Sequence, residues 1–213
     1  MAERTPETFA EMYEGTPPWD IGRPQGAFVR LAEQGEVEGE VLDAGCGTGE
    51  NALHLAALGY SVLGIDAVPR AIELARAKTR QRGRAAEFLV ADALRLEALG
   101  KMFDTVIDSG LFHVFSDEDR ARYVASLARA VRDGGRVHVL CFSEREAGDW
   151  GPRRVTEREL REAFRDGWRV ERIVPERLET NMGPEGVQGW LATARRVEGE
   201  GRGRAEGGAR ARS

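Results

Sequence analysis

Three alternating glycines, Gly45, Gly47 and Gly49, follow a short apolar run and precede a helical pattern. A strand that runs directly into such a turn and then into a helix presents main-chain N–H groups at the carboxyl edge of a sheet. Because glycine has no Cβ, a ligand can approach this backbone closely. The pattern predicts a ligand-binding turn, and the alternative is a tight turn that binds nothing.

Two carboxylates flank the turn, since Asp43 precedes it and Glu50 follows it. A dinucleotide fingerprint has glycine at the position of Glu50, and a carboxylate at that helix N-terminus would repel a pyrophosphate. We therefore expect a ligand that carries no phosphate at this point.

Acidic residues also end the next two predicted strands. Asp66 ends the second strand, where a carboxylate can accept both hydroxyl groups of a ribose, although NAD would use the same residue. Asp92 ends the third strand, within reach of an adenine amino group, with a helix N-cap as its alternative role. The two residues indicate that the ligand contains a nucleoside.

The fourth predicted strand ends at Asp108 and Ser109, and His113 follows in the same loop. Catalytic groups of such folds lie at this edge, so we expect His113 to be catalytic, with a hydrogen-bonded packing role as the alternative. His54 and His138 fall inside a predicted helix and strand and are expected to be structural. An apolar wall is expected from Phe112, Phe115, Phe142 and Trp150.

The residues above are positioned by predicted strands and helices. From about Glu40 to Arg196, apolar runs that predict strands alternate with patterns that predict helices. This alternation is typical of a mostly parallel sheet with helices packed around it. The predicted strands are Val41–Ala44, Ser61–Ile65, Glu87–Ala91, Thr105–Asp108, Arg136–Phe142, Trp168–Val174 and Val187–Arg195, the last two forming a hairpin. The predicted helices are Ala27–Gln34, Glu50–Leu58, Val68–Arg82, Asp117–Val131 and Glu157–Phe164. A turn is expected over 133–135.

Composition limits the organisation of the chain, which has 213 residues, 41% hydrophobic content and a net charge of −5. We expect an N-terminal cap segment over 1–39, one α/β domain over 40–197 and a disordered tail over 198–213. Interspersed charges without a basic stripe argue against a nucleic-acid partner. The chain has no run of 18 apolar residues, so no membrane segment is expected.

The two cysteines, Cys46 and Cys141, have no partner at metal-ligand spacing. They are interpreted as free, mostly buried thiols in a reducing compartment, and no metal site is predicted. With no apolar leader at the N-terminus, these features favour a cytoplasmic protein that is a monomer or a homodimer.

The motifs together resemble those of the class I S-adenosylmethionine-dependent methyltransferases. They are Val-Leu-Asp43-Ala-Gly-Cys-Gly-Thr-Gly49, Gly-Ile-Asp66, Ala-Asp-Ala93, Phe-Asp-Thr-Val-Ile-Asp108 and Asp-Gly-Gly135. The resemblance spans about Glu40 to Arg196. It implies a Rossmann-like α/β fold with a seven-stranded, mostly parallel sheet, an antiparallel last strand and helices on both faces.

The resemblance also implies S-adenosylmethionine as cofactor and S-adenosylhomocysteine as product. This cofactor has a positive sulfonium and no phosphate, which suits the acids beside the turn. In that family the turn holds the methionine end, the second-strand acid holds the ribose and the third-strand acid faces adenine. The cofactor-binding residues expected here are Trp19, Asp43, Gly45, Gly47, Thr48, Gly49, Asn51, Asp66, Ala67, Asp92, Ala93, Asp108 and Ser109.

The segment Pro-Trp19-Asp-Ile-Gly-Arg23-Pro-Gln25 is similar to a segment of thiopurine, halide, thiol and heterocyclic-toxin methyltransferases. That segment folds over the cofactor, so Trp19 is expected to cover it while Arg23 and Gln25 face the substrate. The alternative is that Trp19 anchors a cap onto the core. Segment 149–154 is either a second lid or a surface loop that leads to an N-cap at Thr156.

The resulting prediction is in-line transfer of a methyl group to S, N, O or halide of a small acceptor, expected to be aromatic or heterocyclic. The expected substrate-binding residues are Arg23, Gln25, Phe112 and Trp150. Two alternatives stay open, an NAD-dependent oxidoreductase and a non-catalytic S-adenosylmethionine-binding module.

Overall fold

The computed structural model of the protein describes residues 6–83, 85–148 and 150–197. The strands in these ranges are β1 (Glu40–Ala44), β2 (Ser61–Asp66), β3 (Glu87–Val90), β4 (Phe103–Ser109), β5 (Val131–Phe142), β6 (Trp168–Thr180) and β7 (Gly183–Arg196). They form one sheet in the order β3-β2-β1-β4-β5-β7-β6. β7 pairs antiparallel with β5 and β6, whereas the other neighbours are parallel. The predicted fold class, including the antiparallel last strand, is confirmed.

Helices cover both faces of the sheet. They are α1 (Pro6–Met12), α2 (Gly26–Glu33), α3 (Glu50–Ala57), α4 (Pro69–Arg82), α5 (Asp117–Ala130) and α6 (Glu157–Ala163), with 3₁₀ helices at Ala93–Leu99 and Phe112–Val114. One core cluster includes Phe28 of α2, Leu55 of α3 and Ile72 of α4. The other includes Leu127 of α5 and Leu160 of α6.

Local sequence fixes where two of these helices begin. The Ser116 side chain accepts a hydrogen bond from the Asp119 N–H at the start of α5. At the start of α6, Thr156 and Glu159 form a reciprocal capping box, which satisfies donors that the first turn leaves unpaired. The N-cap predicted at Thr156 is therefore confirmed.

Several strands are longer than predicted, and β5, β6 and β7 show the largest differences. β6 continues past Pro175 to Thr180, because it is the outermost strand of the sheet and a proline there need not donate to a neighbour. β5 begins at Val131, which pairs with Phe103 before the register shifts. The predicted turn over 133–135 is thus an irregular stretch inside a strand.

Several other expectations concern buried residues. Cys46 and Cys141 are free and buried, as predicted. His138 is fully buried, with Nδ1 3.0 Å from the Thr193 hydroxyl, and burial lowers its pKa to about 4, which agrees with a structural role. Within the described ranges, no helix is both long and apolar enough to cross a membrane. The tail predicted over 198–213 lies outside the described residues.

The parallel strands place the functional candidates together. β1, β2 and β4 run in the same direction, so their carboxyl ends at Ala44, Asp66 and Ser109 meet at one edge of the sheet. The parallel strand β5 ends beside them at Phe142. The glycine-rich turn therefore lies next to the loops after β2 and β4.

Candidate active site

The glycine-rich turn after β1 has a backbone that excludes most other residues. Gly45, Gly47 and Gly49 have φ of +69°, +54° and +86°, which side chains with a Cβ rarely adopt. A Cβ on Gly49 would lie 2.6 Å from Cζ of Phe88, and one on Gly47 would lie 3.1 Å from the Tyr13 hydroxyl. The turn is thus closely packed, and Gly47 lies beneath the Tyr13 hydroxyl.

Asp43 lies just before the turn and is almost fully buried. Its Oδ2 accepts a hydrogen bond from the Ala52 N–H at 3.1 Å, whereas its Oδ1 has no partner in the described part of the chain. Burial raises the pKa of Asp43 to about 7, and the charges of Asp108 and Asp66 add to this effect. A buried acceptor without a donor suits a ligand that brings an ammonium group or another cation.

Asp66 closes β2 and contacts the turn directly. Its Oδ2 accepts from the Gly47 N–H and its Oδ1 from the Val68 N–H, both at 2.9 Å. Burial raises the pKa of Asp66, although both hydrogen bonds act in the opposite direction. The carboxylate predicted to hold a ribose thus lies between the turn and the start of α4.

Asp92 is exposed and caps the 3₁₀ helix that follows β3. Its side chain accepts from the Leu94 N–H at 2.9 Å. This is the capping role weighed as its alternative, while its contact with adenine stays a prediction. Ala93 is buried behind it, and Ala67 is exposed beside Asp66.

Glu50 does not present a free charge to the turn. Arg82 donates to both of its oxygens at 2.7 and 2.9 Å, and Lys78 donates to Glu50 at 2.7 Å and to Thr48 Oγ1 at 2.6 Å. Burial alone would raise the pKa of Glu50, but these two cations lower it overall. The expectation that Glu50 by itself would repel a pyrophosphate is therefore wrong, because Lys78 and Arg82 neutralise its charge.

Asp108 shapes the loop after β4. It is fully buried and accepts from the Leu111 N–H at 2.8 Å and from the Phe112 N–H at 3.1 Å. Burial raises the pKa of Asp108 to about 7, in spite of these hydrogen bonds. The neighbouring Ser109 is half-buried. Asp108 thus fixes the course of the loop that carries His113.

The orientation of His113 constrains its chemistry. Its Nδ1 accepts from the Phe142 N–H at 3.0 Å, and its ring packs edge-on against that of Phe142 with centroids 4.9 Å apart. An Nδ1 that accepts cannot carry a proton, so the neutral ring has its proton on Nε2. This arrangement favours the packing role of His113 over that of a general base.

Phe112 lies in the core rather than at an open wall. Its ring stacks on Phe164 with centroids 6.0 Å apart, and the Arg120 guanidinium lies 4.8 Å from the ring centroid. The side chain is fully buried on the face of the sheet covered by α5 and α6. The expected contact of Phe112 with a substrate has no support from this position.

The N-terminal cap covers the turn with aromatic side chains. Trp19 Nε1 donates to the Tyr13 hydroxyl at 3.1 Å, and Trp19 packs edge-on against Tyr13 and Phe9. These residues rest on Val68 and Ala71 at the start of α4. Sequence reasoning missed Tyr13, although its spacing of four residues from Phe9 indicates one face of a helix.

Arg23 and Gln25 contact the β6–β7 hairpin. Arg23 pairs with the Glu179 carboxylate at 2.8 and 3.2 Å, and the Gln25 amide bonds the main chain of Glu179. The Gln25 N–H donates to Asn51 Oδ1 at 2.9 Å, which joins the cap to the first turn of α3. The described contacts of Gln25 are thus structural, and its expected contact with a substrate lacks support.

Trp150 is exposed, unlike the predicted substrate contacts Gln25 and Phe112. It is 40% exposed and packs edge-on against Phe142 with centroids 5.8 Å apart. Asp149, the first residue of the predicted lid, lies outside the described residues. Trp150 therefore borders the carboxyl end of β5 beside His113.

Comparison with known proteins agrees with this geometry. A family model described as methyltransferase domain matches residues 41–135. The chain is 40% identical over 192 residues to a protein from Mycobacteroides abscessus named 2-heptyl-1-hydroxyquinolin-4(1H)-one methyltransferase, with 85% of each chain covered.

Two solved structures are similar in fold. One comes from work on the conversion of a disulfide bond into a thioacetal group during echinomycin biosynthesis. It has a TM-score of 0.83 and 40% identity, and the match covers 91% of this chain and 93% of the other chain. The other is the Burkholderia thailandensis 1,6-didemethyltoxoflavin-N1-methyltransferase with bound 1,6-didemethyltoxoflavin and S-adenosylhomocysteine. It has a TM-score of 0.70 and 20% identity and covers 91% of this chain and 87% of its own.

Proposed function

From the premise that this chain belongs to the class I S-adenosylmethionine-dependent methyltransferases, we propose that it methylates a small aromatic or heterocyclic acceptor at S, N or O, with halide as a further acceptor. The names of two similar proteins support a heterocycle, because one refers to a hydroxyquinolinone and the other to 1,6-didemethyltoxoflavin. An NAD-dependent oxidoreductase and a non-catalytic binding module are not favoured by these relatives.

The observation that carries the proposal is the buried Oδ1 of Asp43, which has no partner among the described residues and lies next to the glycine-rich turn. The methionine end of the cofactor has an ammonium group that would donate to this oxygen. We assign the ribose to Asp66 and the adenine to Asp92. The remaining contacts are proposed for Trp19, Gly45, Gly47, Thr48, Gly49, Asn51, Ala67, Ala93, Asp108 and Ser109.

When bound, S-adenosylmethionine supplies a methyl group on a positively charged sulfur. The protein then has to place the acceptor atom in line with that methyl group and exclude water, and such positioning contributes as much as about 7–11 kcal/mol to lowering a barrier. The cap over the turn, with Tyr13 buried and Trp19 donating to it, is suited to excluding water. Oriented contacts are therefore proposed as the main contribution of the protein to the rate.

We propose that no side-chain base is needed for a thiolate, halide or ionised acceptor. A general base contributes about 10²–10⁴-fold, and the His113 ring holds its proton on the nitrogen that does not face the Phe142 N–H. His113 is therefore proposed to orient the loop and the Phe142 ring. An acceptor that must lose a proton would have to ionise before transfer or use another group.

The experiment that tests the cofactor half of the proposal is isothermal titration with S-adenosylhomocysteine and with NAD. We expect tight binding of S-adenosylhomocysteine and no measurable binding of NAD. Tight binding of NAD without S-adenosylhomocysteine would contradict the proposal. Turnover of any member of a panel of thiols, phenols, azoles and iodide would separate an enzyme from a binding module.

A further inference from the structure

A continuous line of contacts leads from the loop after β4 to the loop after β5. A Cβ on Gly110 would lie 3.3 Å from Cε1 of His113, so this loop passes close to the imidazole. His113 contacts Phe142, and Phe142 contacts Trp150 with an interplanar angle of 74°. Trp150 thus lies on the far side of Phe142 from His113.

Arg154 organises the loop that carries Trp150. Its guanidinium carbon lies 5.3 Å from the ring centroids of both Phe142 and Trp150. Its Nη1 donates to the carbonyls of Trp150 and Pro152 at 2.8 Å, and its Nε donates to the Glu146 carbonyl at 3.3 Å. Its Nη2 donates to two further carbonyls of the loop. All three nitrogens of one side chain therefore hold the loop in one shape.

The loop backbone is built closely around the two rings. Gly148 and Gly151 have φ of +80° and +75°. A Cβ on Gly148 would lie 3.1 Å from Cδ1 of Trp150, and one on Gly151 would lie 3.4 Å from Cε2 of Phe142. The indole is thus fixed in place while 40% of its residue surface stays exposed.

The other end of the loop is tied to β7. The Gln188 N–H donates to the Glu146 carboxylate at 2.8 Å, and Trp190 Nε1 donates to the Glu144 carboxylate at 2.6 Å. These contacts tie Glu144 and Glu146 to β7. The Trp150 indole packs against Phe142, and the residue stays 40% exposed.

We infer that Arg154 is a positioning residue that holds Trp150 as a preformed wall, and that this wall makes the enzyme select planar ring acceptors over aliphatic ones. The inference rests on the proposed function and names its acceptor class. A planar ring gains offset-stacked or edge-to-face contact with an indole, which an aliphatic thiol cannot provide. Because the indole is already ordered, little rotamer freedom is lost on binding.

The test compares three variants, Arg154→Lys, Trp150→Leu and Trp150→Phe. The control variant is Arg158→Lys, because Arg158 forms an exposed ion pair with Glu162 on α6. The probes are 2-heptyl-1-hydroxyquinolin-4(1H)-one as planar ring and 2-mercaptoethanol as aliphatic thiol. Binding of each is measured by calorimetry with saturating S-adenosylhomocysteine, and KM and kcat are measured wherever turnover occurs.

We expect Arg154→Lys and Trp150→Leu to weaken quinolinone binding by about tenfold. The kcat should stay within about threefold, and neither S-adenosylhomocysteine affinity nor the KM for 2-mercaptoethanol should change. Trp150→Phe should restore most of the quinolinone affinity, because a ring remains. Lysine should not replace Arg154, since an ammonium cannot reproduce the planar fork that bonds several carbonyls.

Unchanged quinolinone affinity in Arg154→Lys and Trp150→Leu would overturn the inference. An equal loss for both probes and for S-adenosylhomocysteine would overturn it too, because the loop would then only support the fold. If the parent enzyme methylates no acceptor of the panel while Trp150→Leu still weakens quinolinone binding selectively, the inference about Trp150 holds and the proposed reaction is wrong. If the parent methylates aliphatic thiols and binds no planar ring, the inference about Trp150 is wrong and methyl transfer itself is supported.

Discussion

Gln25 and Glu179, 154 residues apart in sequence, form a reciprocal pair of hydrogen bonds: Gln25 Nε2 donates to the Glu179 carbonyl and the Glu179 N–H donates to Gln25 Oε1, both at 2.9 Å. The Glu179 carboxylate in turn accepts from the Gly26 N–H at 3.1 Å. Because Asn51 of α3 also binds the Gln25 N–H, this pair links the cap, the hairpin and the helix that follows the glycine-rich turn.

Gln25→Ala should lower the free energy of unfolding by about 1–3 kcal/mol, because it removes the partners of the N–H and carbonyl of the half-buried Glu179. Chemical denaturation measures this loss. Gln34→Ala is the matched control, since Gln34 is exposed at the end of α2. Equal stability of the two variants would contradict the structural role of the Gln25 amide.

Asp66→Ala should weaken S-adenosylhomocysteine binding by at least about 1.5 kcal/mol, roughly tenfold, if its carboxylate holds the ribose through charge-assisted hydrogen bonds. Titration calorimetry measures the affinity. Asp104→Ala is the control, because Asp104 also accepts a main-chain hydrogen bond, from Glu40 at 2.8 Å, but at the amino end of β4. Equal losses of affinity in both variants would point to a general effect on folding.

The affinity for S-adenosylhomocysteine should depend on pH through Asp43. Its pKa in the free protein is about 7, raised from 3.8 mainly by burial, so it is protonated at lower pH and cannot attract the ammonium group of the ligand. Affinity should rise with pH up to about 7 and then level off. Asp43→Asn should flatten this rise, leaving a residual slope from Asp108, whose pKa is also about 7.

Stability of the unliganded protein should change in the opposite direction. Between about pH 4 and pH 7 the unfolded chain loses the Asp43 proton while the folded chain keeps it, so this carboxyl group makes the folded state less stable as the pH rises. Thermal unfolding in Asp43→Asn should therefore be less sensitive to pH than in the parent. Identical pH slopes in the two proteins, for affinity as well as stability, would show that Asp43 is ionised throughout.

His113→Ala should keep kcat within about 100-fold of the parent for a thiol acceptor, because a thiolate needs no base. Some loss is expected since the Phe142 N–H loses its acceptor. At saturating S-adenosylmethionine, the variant should keep the pH profile of kcat that the parent has. A loss beyond about 100-fold, together with the disappearance in the variant of a step near the ordinary histidine pKa, would show that His113 acts as a general base.

The residues that sequence reasoning located best are those whose role depends on the local chain. A strand followed by alternating glycines dictates the turn at Gly45–Gly49, and strand ends dictate the positions of Asp66 and Asp108. Local prediction of the strand ends also predicts that these residues lie close together, because a parallel sheet brings the carboxyl ends of its strands to one edge.

The errors have a common physical cause, because they concern partners that are distant in sequence. Nothing around Gln25 reveals that Glu179 will satisfy its amide. The sequence did contain an indication that cations would neutralise Glu50, because Lys78 and Arg82 are four residues apart and therefore lie on one face of α4. β6 was predicted too short because an edge position, which permits Pro175, follows from topology rather than from local pattern.

The most direct test of the proposed reaction is mass spectrometry of the products after incubation with S-adenosylmethionine carrying a deuterated methyl group and a panel of planar heterocycles, phenols, thiols and iodide. The proposal predicts that at least one planar heterocycle gains a single deuterated methyl group, at a rate that falls in Asp66→Ala. If no acceptor gains the label while the protein binds S-adenosylhomocysteine tightly, the chain is a binding module and the proposed reaction is wrong.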